Sequence, residues 1–188
     1  MDNGLVYCDD FPETPLSRPH EKSNPLHWIW LSLVLGVANR FADRLLTQFG
    51  GSASEIFAAP PEKIEQLSYL GEKAKAGLLA KDLSEAMSIM TWCERSGVRL
   101  LPCDDSFYPD RLRRIEDRPL ILYYRGRVPD INRSVCVAMV GTRNISDYGT
   151  NYAYTIAHDC ARCGVVVVSG LALGVDAVCH RAALDAGG

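Results

Sequence analysis

Two stretches of this sequence combine residue types able to hold an anion. Residues 137–149 read VAMVGTRNISDYG, and residues 165–176 read VVVVSGLALGVD. In each, a short apolar run ends at a glycine, small polar residues follow, and an amphipathic pattern begins. Gly141 lets a ligand approach the backbone because it has no side chain. Thr142 and Arg143 then project beyond the run, and Arg143 brings a permanent charge with a planar, forked set of donors. Ser146 suits the cap of a helix starting near Tyr148, where free N–H groups and a partial positive charge favour phosphate. The bland alternative is a tight turn carrying a surface arginine. In the second stretch Ser169 and Gly170 make the turn and Gly174 permits close backbone packing. Asp176 falls in the first helical turn, where an acid suits the dipole.

Catalytic constellations are harder to assemble. Asp176 and His180 are four residues apart and share a helix face, the spacing of an acid–base pair or of metal ligands. Capping by Asp176 and a local hydrogen bond for His180 explain the same residues structurally. The seven cysteines (8, 93, 103, 136, 160, 163 and 179) are odd in number and scattered. That usage fits a reducing cytosol, where cysteine serves as a small hydrophobe. Cys160 and Cys163 form a lone CxxC with no second pair at zinc-finger spacing. No nucleophile–base–acid set, metal site or cofactor is expected.

These loops need a scaffold. Residues 1–25 carry four prolines without periodicity and read as a mobile tail. Residues 26–80 read as short helices joined by glycine turns, with hydrophobic-glycine breaks at Leu35-Gly36-Val37 and Leu70-Gly71-Glu72. That organisation resembles small helical domains of the SAM-like or helix-hairpin-helix kind, with a purely structural bundle as the alternative. Residues 81–97 form a connecting helix. From residue 98 the pattern becomes strand–helix alternation, with strands at 98–101, 120–124, 135–140 and 165–168 and helices at 148–162 and 175–186. Apolar strands alternating with helices predict a parallel sheet, so residues 98–188 read as a Rossmann-like α/β domain. Gly187-Gly188 falls where another strand is expected, so that domain is expected to be incomplete. In a parallel sheet the two loops lie side by side at the carboxyl edge and form one cleft.

The net charge is −3, which gives no global attraction to polyanions. The distribution differs: residues 111–133 hold seven arginines against Glu116, Asp117 and Asp130. Arg111, Arg113, Arg114, Arg125 and Arg127 are candidates for an auxiliary basic track, and a solvated face is the plain alternative. Tyr148, Tyr123 and Tyr124 read as core residues, with base stacking as the alternative role. No apolar run reaches a bilayer-spanning length, and the N-terminus lacks the pattern of a signal peptide, so a cytoplasmic location is expected.

Three ordered motifs carry a resemblance. V-G-T-R-x-x-S-x-Y-G at 140–149, followed by V-V-S-G-L-A-x-G-V-D-x-x-x-H at 167–180, resembles the signature of the DprA/Smf family. The lead-in Tyr108-Pro109-x-x-Leu112-x-x-Ile115-x-Asp117-x-Pro119-x-x-Leu122-Tyr123 and the continuation Ala183-Leu184-x-x-Gly187-Gly188 are similar to that family's segments too. The resemblance implies a SAM-like helical domain followed by an extended Rossmann-like domain. It implies a non-enzymatic, single-stranded-DNA-binding protein of natural transformation and recombination that protects incoming strands and helps load the RecA recombinase. It further implies that Arg143 grips DNA phosphates and that Gly141, Thr142, Ser169 and Gly170 line the same pocket. A homodimer is implied only for the full-length protein. Leu173 departs from the pattern, standing where many relatives place a basic residue. The alternative is a nucleotide-binding enzyme resembling LOG-type phosphoribohydrolases, whose Pro-Gly-Gly-x-Gly-Thr segment does not occur here. The GxGxxG fingerprint of dinucleotide-dependent oxidoreductases does not occur in the right frame either.

Overall fold

A computed structural model describes residues 24–36 and 40–188. The expected tail therefore lies, through residue 23, outside the described residues, as does Val37 of the first hairpin break. The chain divides into two compact units, one ending at Arg127 and one spanning Val128–Gly188.

The first unit is built around α1 (Pro25–Leu35). Asn24 caps it by accepting the Leu26 N–H at 3.0 Å, and Pro25 occupies the first turn, where its missing donor costs nothing. The helix is apolar on nearly all sides, and Trp28, Ile29, Trp30 and Leu31 are buried. An all-round apolar helix belongs in the middle of a core. The shorter α2 (Ala42–Gln48), α3 (Ala53–Ala58), α4 (Pro61–Glu65), α5 (Glu72–Ala80) and α6 (Ser84–Arg95) complete the helical part, and α3, α5 and α6 pack on α1.

Strands β1 (Arg99–Pro102) and β2 (Ile121–Tyr124) pair with each other, and both also pack on α1. Their pairing is antiparallel, with Arg99 opposite Tyr124 and Pro102 opposite Ile121. This corrects the single parallel sheet expected from residue 98 onward. A parallel crossover needs a substantial connection, usually a full helix. The segment between β1 and β2 holds only the one-turn α7 (Asp110–Arg113), and it is tied back on itself. The buried Tyr108 donates its hydroxyl to the Pro119 carbonyl at 2.6 Å, and the Cys103 N–H donates to Leu120 O at 2.9 Å. Through these ties the chain reverses. Arg118 fixes the same segment to α2 through a forked pair with Asp43, one bond of which measures 2.7 Å.

The second unit alternates β3 (Cys136–Ala138), α8 (Asp147–Arg162), β4 (Val166–Val168) and α9 (Val175–Asp185). Here the pairing is parallel, with Cys136, Val137 and Ala138 opposite Val166, Val167 and Val168. Helices α8 and α9 pack through small side chains, with Ala157, Cys179 and Ala182 buried between them and Met139, Ala153, Val167 and Val175 against that cluster. The described residues are mixed α/β, with one small parallel and one small antiparallel sheet among them. No helix among the described residues is long and apolar enough to cross a membrane.

Candidate functional site

Parallel pairing of β3 and β4 brings both glycine loops to one sheet edge. Three hydrogen bonds join them: Met139 N–H to Val168 O at 2.9 Å, Ser169 Oγ to Met139 O at 2.6 Å, and Val175 N–H to Thr142 O at 3.1 Å. The glycines make this approach possible. A Cβ on Gly141 would stand 2.6 Å from Val175 Cγ2. Gly174 has φ +83°, and a Cβ there would overlap the Thr142 carbonyl oxygen and lie 2.8 Å from Arg143 Cα and C. Both contacts are far inside normal van der Waals distance, and the second is with backbone that cannot rotate away.

The second loop folds around a carboxylate. Asp176 is only 4% exposed. Its Oδ2 accepts the Gly170 N–H at 3.0 Å and the Ala172 N–H at 3.4 Å, one on each side of Leu171. Leu171 is held at φ +56°, in the left-handed region that a leucine rarely occupies. Asp176 thus does not cap its own helix, as its place in the first turn suggests. It reaches back and satisfies the loop. The Gly170 N–H is engaged within the protein, and the first turn of α9 already holds its own negative charge.

The first loop stays open. Thr142 Oγ1 accepts the Asn144 N–H at 3.1 Å, making a tight local turn, and Ser146 Oγ caps α8 by accepting the Gly149 N–H at 3.2 Å. Gly141, Thr142, Arg143 and Asn144 are all exposed. Arg143 makes no hydrogen bond or ion pair among the described residues. The pinned turn holds up a free guanidinium.

The remaining candidates divide by unit. Arg111, Arg114, Arg125 and Arg127 are exposed in the first unit. Arg113 is partly buried there, donating to the carbonyls of Asp105 at 2.8 Å and Tyr108 at 3.3 Å, and so supports the segment that carries it. His180 Nε2 is buried without a partner, where a local hydrogen bond was expected, and no bond joins His180 to Asp176 among the described residues. Burial, followed by the Asp176 charge, raises the Cys179 thiol above its usual range, so it is an inert packing residue. No cluster of potential metal ligands occurs among the described residues. Tyr148 and Tyr123, expected in a core, are exposed, and Tyr124 is half-buried. The role of Asp176 as the centre of its loop was hidden in the sequence, because the neighbouring His180 drew its spacing into a different pattern.

Comparison with known proteins bears on the same segment. Residues 99–188 match the family model described as DNA recombination-mediator protein A. The Smf protein of Escherichia coli is 37% identical over 101 residues, covering 54% of this chain and 27% of that protein. The DNA processing protein DprA of Bacillus subtilis is 34% identical over 92 residues, covering 49% and 31% respectively. A longer alignment, with the Smf protein of Synechocystis, covers 88% of this chain and 42% of that protein at 27% identity. The chain thus spans less than half the length of these relatives. Residues 99–188, which hold both glycine loops, thus match the DprA/Smf family of DNA recombination-mediator proteins.

Proposed function

We propose that this chain takes part in DNA processing during recombination by binding single-stranded DNA at the turn of residues 141–143. The observation that carries the proposal is the exposed, unpaired Arg143 on a turn braced by Gly174 and Val175. A guanidinium carried on a braced backbone grips a phosphate at the cost of side-chain freedom alone. The first N–H groups of α8, beyond the one that Ser146 satisfies, add neutral donors beside it, and the Thr142 hydroxyl, donating to Asn144 O at 3.2 Å, braces the turn.

The second loop has a different role in this reading. Ser169 and Gly170 shape and brace the turn, and Gly174 sets its distance from β4. With Asp176 inside that loop, phosphate is excluded from α9 and directed to the α8 side. Arg111, Arg114, Arg125 and Arg127 form an auxiliary basic track of their own on the first unit. The site binds and breaks no bond.

The parent family supports the wider proposal that the complete protein is a cytoplasmic homodimer that protects incoming single strands and helps load the RecA recombinase. The direct test is equilibrium binding of the chain to a labelled single strand and a matched duplex across a salt series. Single-strand preference with a log–log salt slope of about −0.7 per phosphate contacted supports the reading. A folded chain that binds neither overturns it.

A further inference from the structure

Helix α8 has an inner face and an outer one. Ala157 and Ala161 are buried on the inner face, and Ala153 packs against the same cluster as Cys179 and Ala182. The outer face carries Tyr148, Tyr152 and Ile156 at i, i+4 and i+8, all exposed. Tyr148 is 69% and Tyr152 55% exposed, and their ring centroids lie 4.3 Å apart with the planes tilted by 40°. Neither hydroxyl has a partner among the described residues. Two large aromatic rings thus pack on each other on the solvent-facing side of α8.

We propose that Tyr148 and Tyr152 form a base-stacking platform for the same single strand whose phosphates Arg143 holds. The inference rests on the single-strand binding proposed above and names further contacts for it. Position is the first argument. The Arg143 turn leads through Ser146 directly into the first turn of α8, so Tyr148 follows the cation by five positions and Tyr152 stands one turn further along. A strand with a phosphate at Arg143 has bases to place, and the next surface along the chain offers two π-faces. Every base has such a face, so stacking tolerates any sequence.

Size is the second argument. A stable protein partner buries on the order of 800 Å² on each side. This stripe is one residue wide, bordered by the exposed polar Asn151, Thr155 and Asp159, with Asp147 beside Tyr148. It suits two planar bases better than a protein face.

The test uses the whole chain with Tyr148→Ala, Tyr152→Ala and the corresponding Phe variants, each confirmed as folded by circular dichroism. Binding is measured by fluorescence anisotropy with labelled oligothymidine and with an abasic oligonucleotide of equal length. The expected result is that each Ala variant weakens oligothymidine binding by about fivefold or more while each Phe variant binds like wild type. Binding to the abasic strand should be weaker in wild type and indifferent to either tyrosine. Unchanged oligothymidine affinity in both Ala variants overturns the inference, as does an equal loss on the abasic strand. Ala variants that change only the association state of the chain also overturn it, since they would assign the stripe to a second copy. Strand binding that depends on Arg143 but ignores both tyrosines removes the platform alone. A folded wild-type chain that binds no single strand removes the platform together with the function it rests on.

Discussion

Gly174 is set against the carbonyl oxygen of Thr142 so closely that no side chain fits between the two loops, and the Val175 N–H donates to that same oxygen at 3.1 Å. The second loop therefore fixes the height and angle of the turn that carries Arg143. Gly174→Ala meets two penalties, a left-handed φ and an overlap with backbone atoms. The variant should lose about 2 kcal/mol or more of unfolding free energy, read from urea melts. Where it folds, it should also bind single strand more weakly than wild type. A Gly174→Ala chain with the wild-type urea midpoint would contradict this geometry.

Asp176 supplies the second prediction. Removing its carboxylate leaves the Gly170 and Ala172 N–H groups without an acceptor and releases Leu171 from its left-handed backbone. Asp176→Ala should cost about 3 kcal/mol, from two charge-assisted hydrogen bonds in a buried setting. Asp176→Asn keeps an acceptor oxygen in place and should cost less than half as much. Equal losses in the two variants would show that the loop needs the charge rather than the acceptor.

The third prediction concerns alkaline pH. Burial pushes the Cys103 thiol up to about 11 and the Tyr108 hydroxyl up to about 12, above ordinary values of 9.0 and 10.0. Both groups are thus neutral in the folded chain at pH values where the unfolded chain ionises them. Their contribution is complete below pH 9 and is lost as pH rises towards 12, because the unfolded state binds fewer protons across that window. The denaturant midpoint should fall from pH 9 upward. Cys103→Ala should flatten the lower part of the fall and Tyr108→Phe the upper part. A midpoint that stays level to pH 11 would contradict the burial of both groups.

The elements were largely legible in the sequence, and particular residues show why. The Ser146 cap and the valine run at 165–168 each carry a local signal strong enough to survive folding, whereas Asn24 and Pro25, read as the end of a tail, cap and open α1. The parallel pairing that joins the two glycine loops followed from the strand–helix–strand order of residues 135–168. The direction of β2 against β1 was not legible, because apolar strands look alike whichever way they run. It is set by a tether, Tyr108 to Pro119, that folds the connection back on itself. The division after Arg127 follows from the same pairing, which joins β1 and β2 to the helices rather than to β3 and β4.

In the site, glycine positions and an exposed arginine could be read from residue type alone. The burial of Asp176 could not, because a first-turn acid usually caps its own helix and here the loop turns back over it. Tyr148, which lies beside Tyr152 on α8, misled in the opposite sense. Aromatic residues on an amphipathic helix belong to a core by default, and only the packing of α8 on α9 through alanines shows that the tyrosines face outward.

The central claim is that Arg143 holds a phosphate of a single strand. It is tested most directly by anisotropy titration of a labelled single strand with wild type, Arg143→Lys and Arg143→Ala, all shown to melt alike in urea. Arg143 is exposed and makes no hydrogen bond or ion pair among the described residues, so the substitutions should leave stability unchanged. The account predicts that Arg143→Ala weakens binding by about tenfold to a hundredfold and lowers the salt slope by about 0.7, with Arg143→Lys in between. Affinity within about twofold of wild type and an unchanged salt slope in Arg143→Ala would contradict it.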